Sequence, residues 1–184
     1  LWTYDKRRLT PFGEYVPYVG LLGRLGLGTL GDGLSGFAFG TAEGPFATPA
    51  LPPVAPLICY EIIFPRDAMA ATREAGWILQ VTNDAWFGDS AGPWQHLAQA
   101  RARAIELGLP VARAANTGVS AMIDPLGRMR GALALETRGA SDSVLPASRA
   151  PTLHAATGPA ATFILVASFV AFGRFTREPA PPRG

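Results

Sequence analysis

The chain has 184 residues, 48% of them hydrophobic and 16% charged, with a formal net charge of +2. That is enough for one domain with a sizeable core, and it lacks the basic surface of a nucleic-acid binder. A single cysteine excludes an internal disulfide, and the 21 glycines and 17 prolines punctuate strand-like runs rather than a disordered chain.

The opening LWTYDKRRL has no initiator Met and no leader pattern of basic, apolar and small regions, so it reads as the interior of a domain. Residues 19–40 are rich in Gly and Leu and hold no period. They are either a flexible loop or an apolar loop that touches a greasy substrate or a bilayer. The prolines between Pro49 and Pro56 argue against regular structure there. Residues 57–59 (LIC) then read as the end of a buried strand. EIIFPRDAMAATREAG, 61–76, reads as a helix closed by Gly76. WILQVTN, 77–83, is the next strand, and DAWFGDSAG is a loop in which Asp89 or Ser90 is placed to cap the helix after it. The clearest helix is PWQHLAQARARAIELG, 93–108, with Pro93 in its first turn and Gly108 at its C-cap. Strands are expected over 110–116, 119–123 and 129–135, the last two joined by the DPLG turn at 124–127. Strands alternating with helices indicate an α/β domain.

The C-terminal region differs. Residues 155–173 carry no charge, interrupted only by Gly158–Pro159. At about 1.5 Å per residue a helix of that length just spans a bilayer core of roughly 30 Å. A buried core helix is the alternative, but a polar, proline-containing linker precedes the segment. Arg174, Arg177 and Arg183 come after it, which places the tail in the cytoplasm and the domain on the other side.

Few residues are candidates for chemistry. Cys59 lies at an expected strand end just before a helix, where free N–H groups and the helix dipole lower a thiol pKa. An inert core thiol has the higher base rate, so position alone leaves the choice open. Lys6 and Glu14, eight residues apart in a Pro/Gly-rich stretch, are ordinarily a solvated surface pair. Trp86, Phe87, Trp94 and His96 gather aromatic and imidazole groups close to Asp84, which is unusual for a plain loop.

Taken in order, YDKRRLTPFGEYVP, PLICYEIIFP, QVTNDAWFGDSAGPWQHLAQARARAIELGLPVARAANTGVSAMIDPLGR and the final apolar segment resemble the apolipoprotein N-acyltransferase family. These are membrane enzymes of the nitrilase, or carbon–nitrogen hydrolase, superfamily. The third stretch is the most specific; the first two alone indicate only the superfamily. The resemblance implies an α/β fold, a nitrilase-like αββα sandwich that is partial here, with one C-terminal transmembrane helix. The expected division is residues 1–150 as the C-terminal part of a catalytic domain, 151–175 as linker and transmembrane helix, and 176–184 as a cytoplasmic tail.

It also implies a Glu–Lys–Cys triad. Cys59 matches the nucleophile and Lys6 the catalytic lysine. Glu14 and Glu61 match supporting carboxylates, and Tyr60 and Trp86 match aromatic positions linked to function. The family's triad glutamate lies before YDK, so no residue here matches it, and the 184 residues alone are expected to be inactive. The implied reaction moves an acyl chain from a phospholipid, through a cysteine thioester, to the amine of a diacylglyceryl-modified apolipoprotein. No cofactor, metal or nucleic acid is implied. The implied location is the bacterial inner membrane, with the catalytic domain on its periplasmic face. A soluble nitrilase-type amidase using water as acceptor and a non-catalytic, membrane-anchored binding domain are the competing readings.

Overall fold

The computed structural model describes residues 2–26, 37–41 and 44–175. Residues 27–36 of the glycine-rich stretch, and the tail with Arg177 and Arg183, therefore lie outside the described residues, and the start of that stretch, expected as a loop, forms a short helix over Val19–Arg24. The element order is α1 (Val19–Arg24), β1 (Val54–Ile58), α2 (Pro65–Ala71), β2 (Trp77–Asn83), α3 (Gly92–Leu107), β3 (Val111–Asn116), β4 (Ser120–Ile123), β5 (Met129–Leu133), α4 (Leu153–Thr157) and α5 (Ala160–Phe175). Short 3₁₀ turns cover Cys59–Ile63 and Asp84–Phe87.

The five strands form one sheet in the order β1-β2-β3-β4-β5. β1, β2 and β3 run parallel, and β4 and β5 continue antiparallel. Inward positions of β2 and β3 such as Ile78 and Val111 are buried. They pack with Leu57, Ile62, Leu97, Ala100, Ala104 and Ile123 beneath α2 and α3. Small residues at 100 and 104 let α3 lie close to the sheet. The opposite sheet face is open in part: Val81 is 41% exposed, although residues 139–143 line a cleft there with Leu79, Ala112 and Met122. One helical layer on one sheet is thus what the described residues build, and the second sheet of the expected sandwich is not among them.

Three expectations need correction. β1 begins at Val54, ahead of Pro56, despite the prolines. Apart from one bridge between Phe46 and Val54, β1 is an edge strand, where a residue without an N–H is tolerated. The helix expected over 61–76 is split: Phe64 is extended at φ −93°, and α2 starts at Pro65. Proline disfavours helical geometry in the residue before it and suits the first helical position. α2 also stops at Ala71, with Thr72 donating its hydroxyl to the Ala68 carbonyl and Glu74 left-handed at φ +66°. α3 ends as expected, at Gly108 in the left-handed conformation, φ +68°, which glycine adopts without the Cβ penalty. Ser90 accepts from the Gly92 amide at 3.0 Å at its start.

The third correction concerns the apolar C-terminal segment. It does not form one helix from residue 155; Gly158 at φ +58° separates α4 from α5. α5 has 16 residues, about 24 Å at 1.5 Å per residue. No helix among the described residues is long and apolar enough to cross a membrane. Even so, Phe163, Ile164, Leu165 and Val166 are all exposed. Four consecutive residues at about 100° each sweep the whole circumference, so α5 presents apolar surface on every side.

The sheet core sets the stability of this unit. Ile78, fully buried at the centre of the parallel strands, when changed to Ala should cost about 2–5 kcal/mol. Urea unfolding in mild detergent, monitored by tryptophan fluorescence, measures it. A loss below about 0.5 kcal/mol would mean the site collapses without a cavity.

Candidate active site

β1 delivers Cys59 at its C-terminal end, and the chain turns there. Cys59 has φ +51°, a left-handed conformation that costs a non-glycine residue of order 1 kcal/mol or more. The turn persists because Glu61 holds it. This carboxylate is 2% exposed and accepts from the Ile58 amide at 2.7 Å. It also accepts from the Arg7 and Arg8 amides at 2.6 and 3.1 Å and from the Tyr4 hydroxyl at 3.0 Å. Burial, and then the charge of Glu61, push the Tyr4 hydroxyl well above the ordinary tyrosine range, so it stays a donor. One side chain therefore ties the segment carrying Lys6 to the turn carrying Cys59.

Lys6 is held in turn by Glu14. Its ammonium lies 2.6 and 2.8 Å from the two carboxylate oxygens and 3.3 Å from Thr10 Oγ1. The Thr10 amide donates to Glu14 at 2.7 Å. Glu14 is positioned by a tight turn in which the Gly13 and Glu14 amides donate to the Thr10 carbonyl. Burial alone would raise the Glu14 pKa, but the bonds from Lys6 and Thr10 outweigh it and hold the carboxyl below its ordinary value. With only 11% of its side chain exposed, Lys6 is not the solvated surface lysine that its setting in the sequence suggested.

Behind Cys59 lies a buried polar network. Asp84, at the C-terminal end of β2, bonds Arg113 at 2.5 Å, Thr82 at 3.0 Å and His96 Nδ1 at 2.9 Å. Arg113 also donates to Gln80 at 2.7 Å. His96 Nε2 is 3.1 Å from the Cys59 carbonyl oxygen. Burial would raise the Asp84 pKa, yet His96 and Arg113 hold it below its ordinary value. A side chain on Gly118 would place a Cβ 2.2 Å from Asp84 Oδ2, so only glycine lets β4's approach lie against this carboxylate.

Four residues matched to the family's site, Glu14, Cys59, Tyr60 and Trp86, line one cavity of about 650 Å³ together with Phe12, Ile63, Phe87 and His96. Trp86 is 71% exposed, and Tyr60 packs edge-on against Phe64 at 4.9 Å. Lys6 is not among the lining residues; it reaches the wall through Glu14. Glu61 lies apart, in a smaller cleft of about 290 Å³ with Tyr4 and Arg8. Sequence reading missed Gln80 and Arg113 and saw His96 and Asp84 only as members of a loop cluster. The available signal was polar residues at inward strand positions, Gln80 and Arg113, each two places from a buried apolar neighbour, Ile78 and Val111. Among the described residues no group of three or more His, Cys, Asp or Glu is placed to hold a metal ion.

Residues 1–150 match the carbon–nitrogen hydrolase family. The chain is 51% identical over 167 residues to the apolipoprotein N-acyltransferase of Rhodopseudomonas palustris, covering 91% of this chain and 31% of that protein. It is 48% identical over 176 residues to that of Bradyrhizobium diazoefficiens, covering 95% and 33%. The chain thus spans about a third of the length of these curated relatives. Among solved structures, an amidase from Nesterenkonia sp. matches with a TM-score of 0.52 and 26% identity, over 74% of this chain and 47% of that one. A mutant of that amidase, with acrylamide added at its active-site cysteine, matches at 0.55 and 22% over 90% and 58%, a likeness of fold alone.

The depressed Glu14 pKa carries a pH signature. Stability from the Lys6–Glu14 contact is fully present above the ordinary value of 4.5 and is lost as pH falls through the lower folded value. Glu14→Gln should therefore melt below the unsubstituted chain at neutral pH, and the gap should close as the pH falls below that range. Melting temperatures across a pH series check this. A gap that stays constant into strong acid would contradict the assignment.

Proposed function

The chain belongs to the carbon–nitrogen hydrolase family, and on that footing we propose that it supplies the nucleophile and the oxyanion-stabilising lysine of a phospholipid-dependent apolipoprotein N-acyltransferase. The observation that carries the reading is Cys59 itself. It is held left-handed at a strand end on a largely apolar cavity, with an ammonium fixed one side chain away from the wall. A core thiol has no use for such a turn. The relatives at 48–51% identity supply the reaction class.

In this reading a glutamate that precedes the YDK segment takes the Cys59 proton. The thiolate attacks the ester carbonyl of a phospholipid, forming a C–S bond. Lys6 and backbone N–H groups near Tyr60 stabilise the resulting oxyanion. The intermediate then collapses, the C–O bond breaks, and the lysophospholipid leaves as its alcohol with the proton returned from the acid. The α-amine of a diacylglyceryl-cysteine lipoprotein next attacks the thioester, and its N–C bond forms as the C–S bond breaks, regenerating the thiol. Lys6 supplies charge without acting as base, and Glu14 fixes where that charge sits. Phe12, Ile63, Trp86 and Phe87 give the acyl chain an apolar wall.

The all-round apolar surface of α5 fits the same substrates, since both donor and acceptor are lipids. A helix hydrophobic on all sides is buried in protein or in lipid, and we place α5 in the inner membrane with the catalytic domain on the periplasmic face. The amidase likeness supports a second reading, in which water replaces the amine and a small C–N substrate is hydrolysed by the same Lys6 and Cys59. The identity of the acceptor separates the two.

Mass spectrometry of the enzyme carrying this chain, after exposure to phospholipid vesicles, should find a hydroxylamine-labile acyl adduct on the Cys59 peptide. Cys59→Ala should abolish both half-reactions. Lys6→Ala should lower the acylation rate about 10²–10³-fold, the scale of losing an oxyanion donor. Turnover with Cys59 never modified would overturn the thioester route, and release of free fatty acid or ammonia in place of N-acylated peptide would favour the amidase.

A further inference from the structure

His96 has no part in the acyl transfer itself, yet it is buried and reaches the nucleophile's own backbone. Its ring is clamped from three sides. Asp84 Oδ1 lies 2.9 Å from Nδ1, and the Phe87 ring meets it edge-on at 5.6 Å. Nε2 faces two groups at once, the Cys59 carbonyl oxygen at 3.1 Å and Gln80 Nε2 at 3.2 Å.

Those two neighbours make opposite demands. The carbonyl oxygen only accepts, so a bond to it needs a proton on Nε2. Gln80 is turned by Arg113, which donates to Gln80 Oε1 at 2.7 Å, so its NH₂ points at the ring and asks Nε2 to be bare. Nδ1 is not free to choose, because the Asp84 carboxylate beside it requires a donor. The ring therefore either carries both protons and holds Cys59, or carries one and holds Gln80.

We propose that His96 is a positioning residue for the nucleophile: protonated on both nitrogens, it donates to the Cys59 carbonyl and holds the left-handed turn that presents the thiol. Two features favour this state. Asp84 accepts from Thr82 and Arg113 as well as from His96, a site built for a carboxylate between two cations. The Cys59 turn is strained, and a hydrogen bond to its carbonyl fixes the peptide plane on the C-terminal side of Cys59. The titratable and charged groups around the ring are Asp84, Arg113 and Cys59, with Glu14 on the cavity wall and its partner Lys6 behind that wall. The inference rests on Cys59 being the nucleophile but not on what it acylates.

The test uses the full 184-residue chain in detergent with ¹⁵N-labelled histidine. The chain has two histidines, so His154→Gln leaves one ring to observe. At neutral pH both His96 nitrogens should appear protonated; a bare Nε2 overturns the proposal without any variant at His96. Iodoacetamide alkylation of Cys59 is the second readout. Asn reaches Asp84 but not Cys59, so His96→Asn should slow alkylation about tenfold, the scale of losing a hydrogen bond from a charged donor. Gln reaches the carbonyl, so His96→Gln should stay within about threefold of the unsubstituted chain. A folded Asn variant alkylated at the unsubstituted rate, or a Gln variant as slow as Asn, overturns the proposal; if Asn does not fold, the ring spectrum and the Gln variant decide. Failure to find an acyl adduct on Cys59 would sink the proposed reaction and leave these readouts standing, and the converse also holds.

Discussion

Four hydrogen-bond donors converge on the carboxylate of Glu61, and the geometry of the whole site depends on them. Two are amides of residues 7 and 8, one is the amide of Ile58, and one is the Tyr4 hydroxyl. The segments they belong to are separated by some fifty residues of chain, yet the carboxylate joins them within hydrogen-bonding distance. A buried carboxylate is tolerated only when its oxygens are satisfied, and each buried donor left unpaired costs about 1–3 kcal/mol. Removing Glu61 would therefore strand several groups together. That makes the link between the Lys6 segment and the Cys59 turn a constraint of the fold rather than a passing contact.

The rest of the site is arranged on that frame. The parallel strands bring the ends of β1, β2 and β3 side by side, which places the Cys59 turn beside Asp84 and Arg113. Ligands of open α/β sheets bind outside these carboxyl ends. Charge is deployed in two layers around the thiol. In front, Lys6 is fixed by Glu14; behind, Arg113 and His96 flank Asp84. Both layers lie in surroundings where water is scarce, so each charge acts more strongly than it would on the surface. The cavity between them is mostly apolar, as the proposed acyl substrate requires. α5 continues this apolar character away from the sheet, and its breadth of exposed side chains calls for cover.

The strands were legible because alternation survives in them: Ile78, Gln80 and Thr82 point one way and Leu79, Val81 and Asn83 the other. α3 was legible for similar reasons, with proline at one end and glycine at the other. What failed was local punctuation read too literally. Pro56 does not exclude an edge strand, Pro65 starts a helix rather than sitting inside one, and Gly158 divides an apolar run that composition alone joins. Within the site, Cys59, Tyr60, Glu14 and Trp86 were named from sequence and meet at one cavity, and Lys6 meets Glu14. The purpose of Glu61 was not legible, because backbone amides fifty residues away leave no trace in the pattern of side chains. Arg113 and Gln80 were hidden for the converse reason: on a strand they look like solvent-facing residues until the sheet shows which face is covered.

Amide hydrogen exchange, read by NMR on the ¹⁵N-labelled chain, tests the central claim most directly. If Glu61 joins the Lys6 and Cys59 segments, the Arg7, Arg8 and Ile58 amides are protected together. Glu61→Ala then releases all three while the Ile78 amide, which donates to the Pro110 carbonyl at 2.9 Å, stays protected. Free exchange of these amides in the unsubstituted chain, or their continued protection in Glu61→Ala, would contradict it.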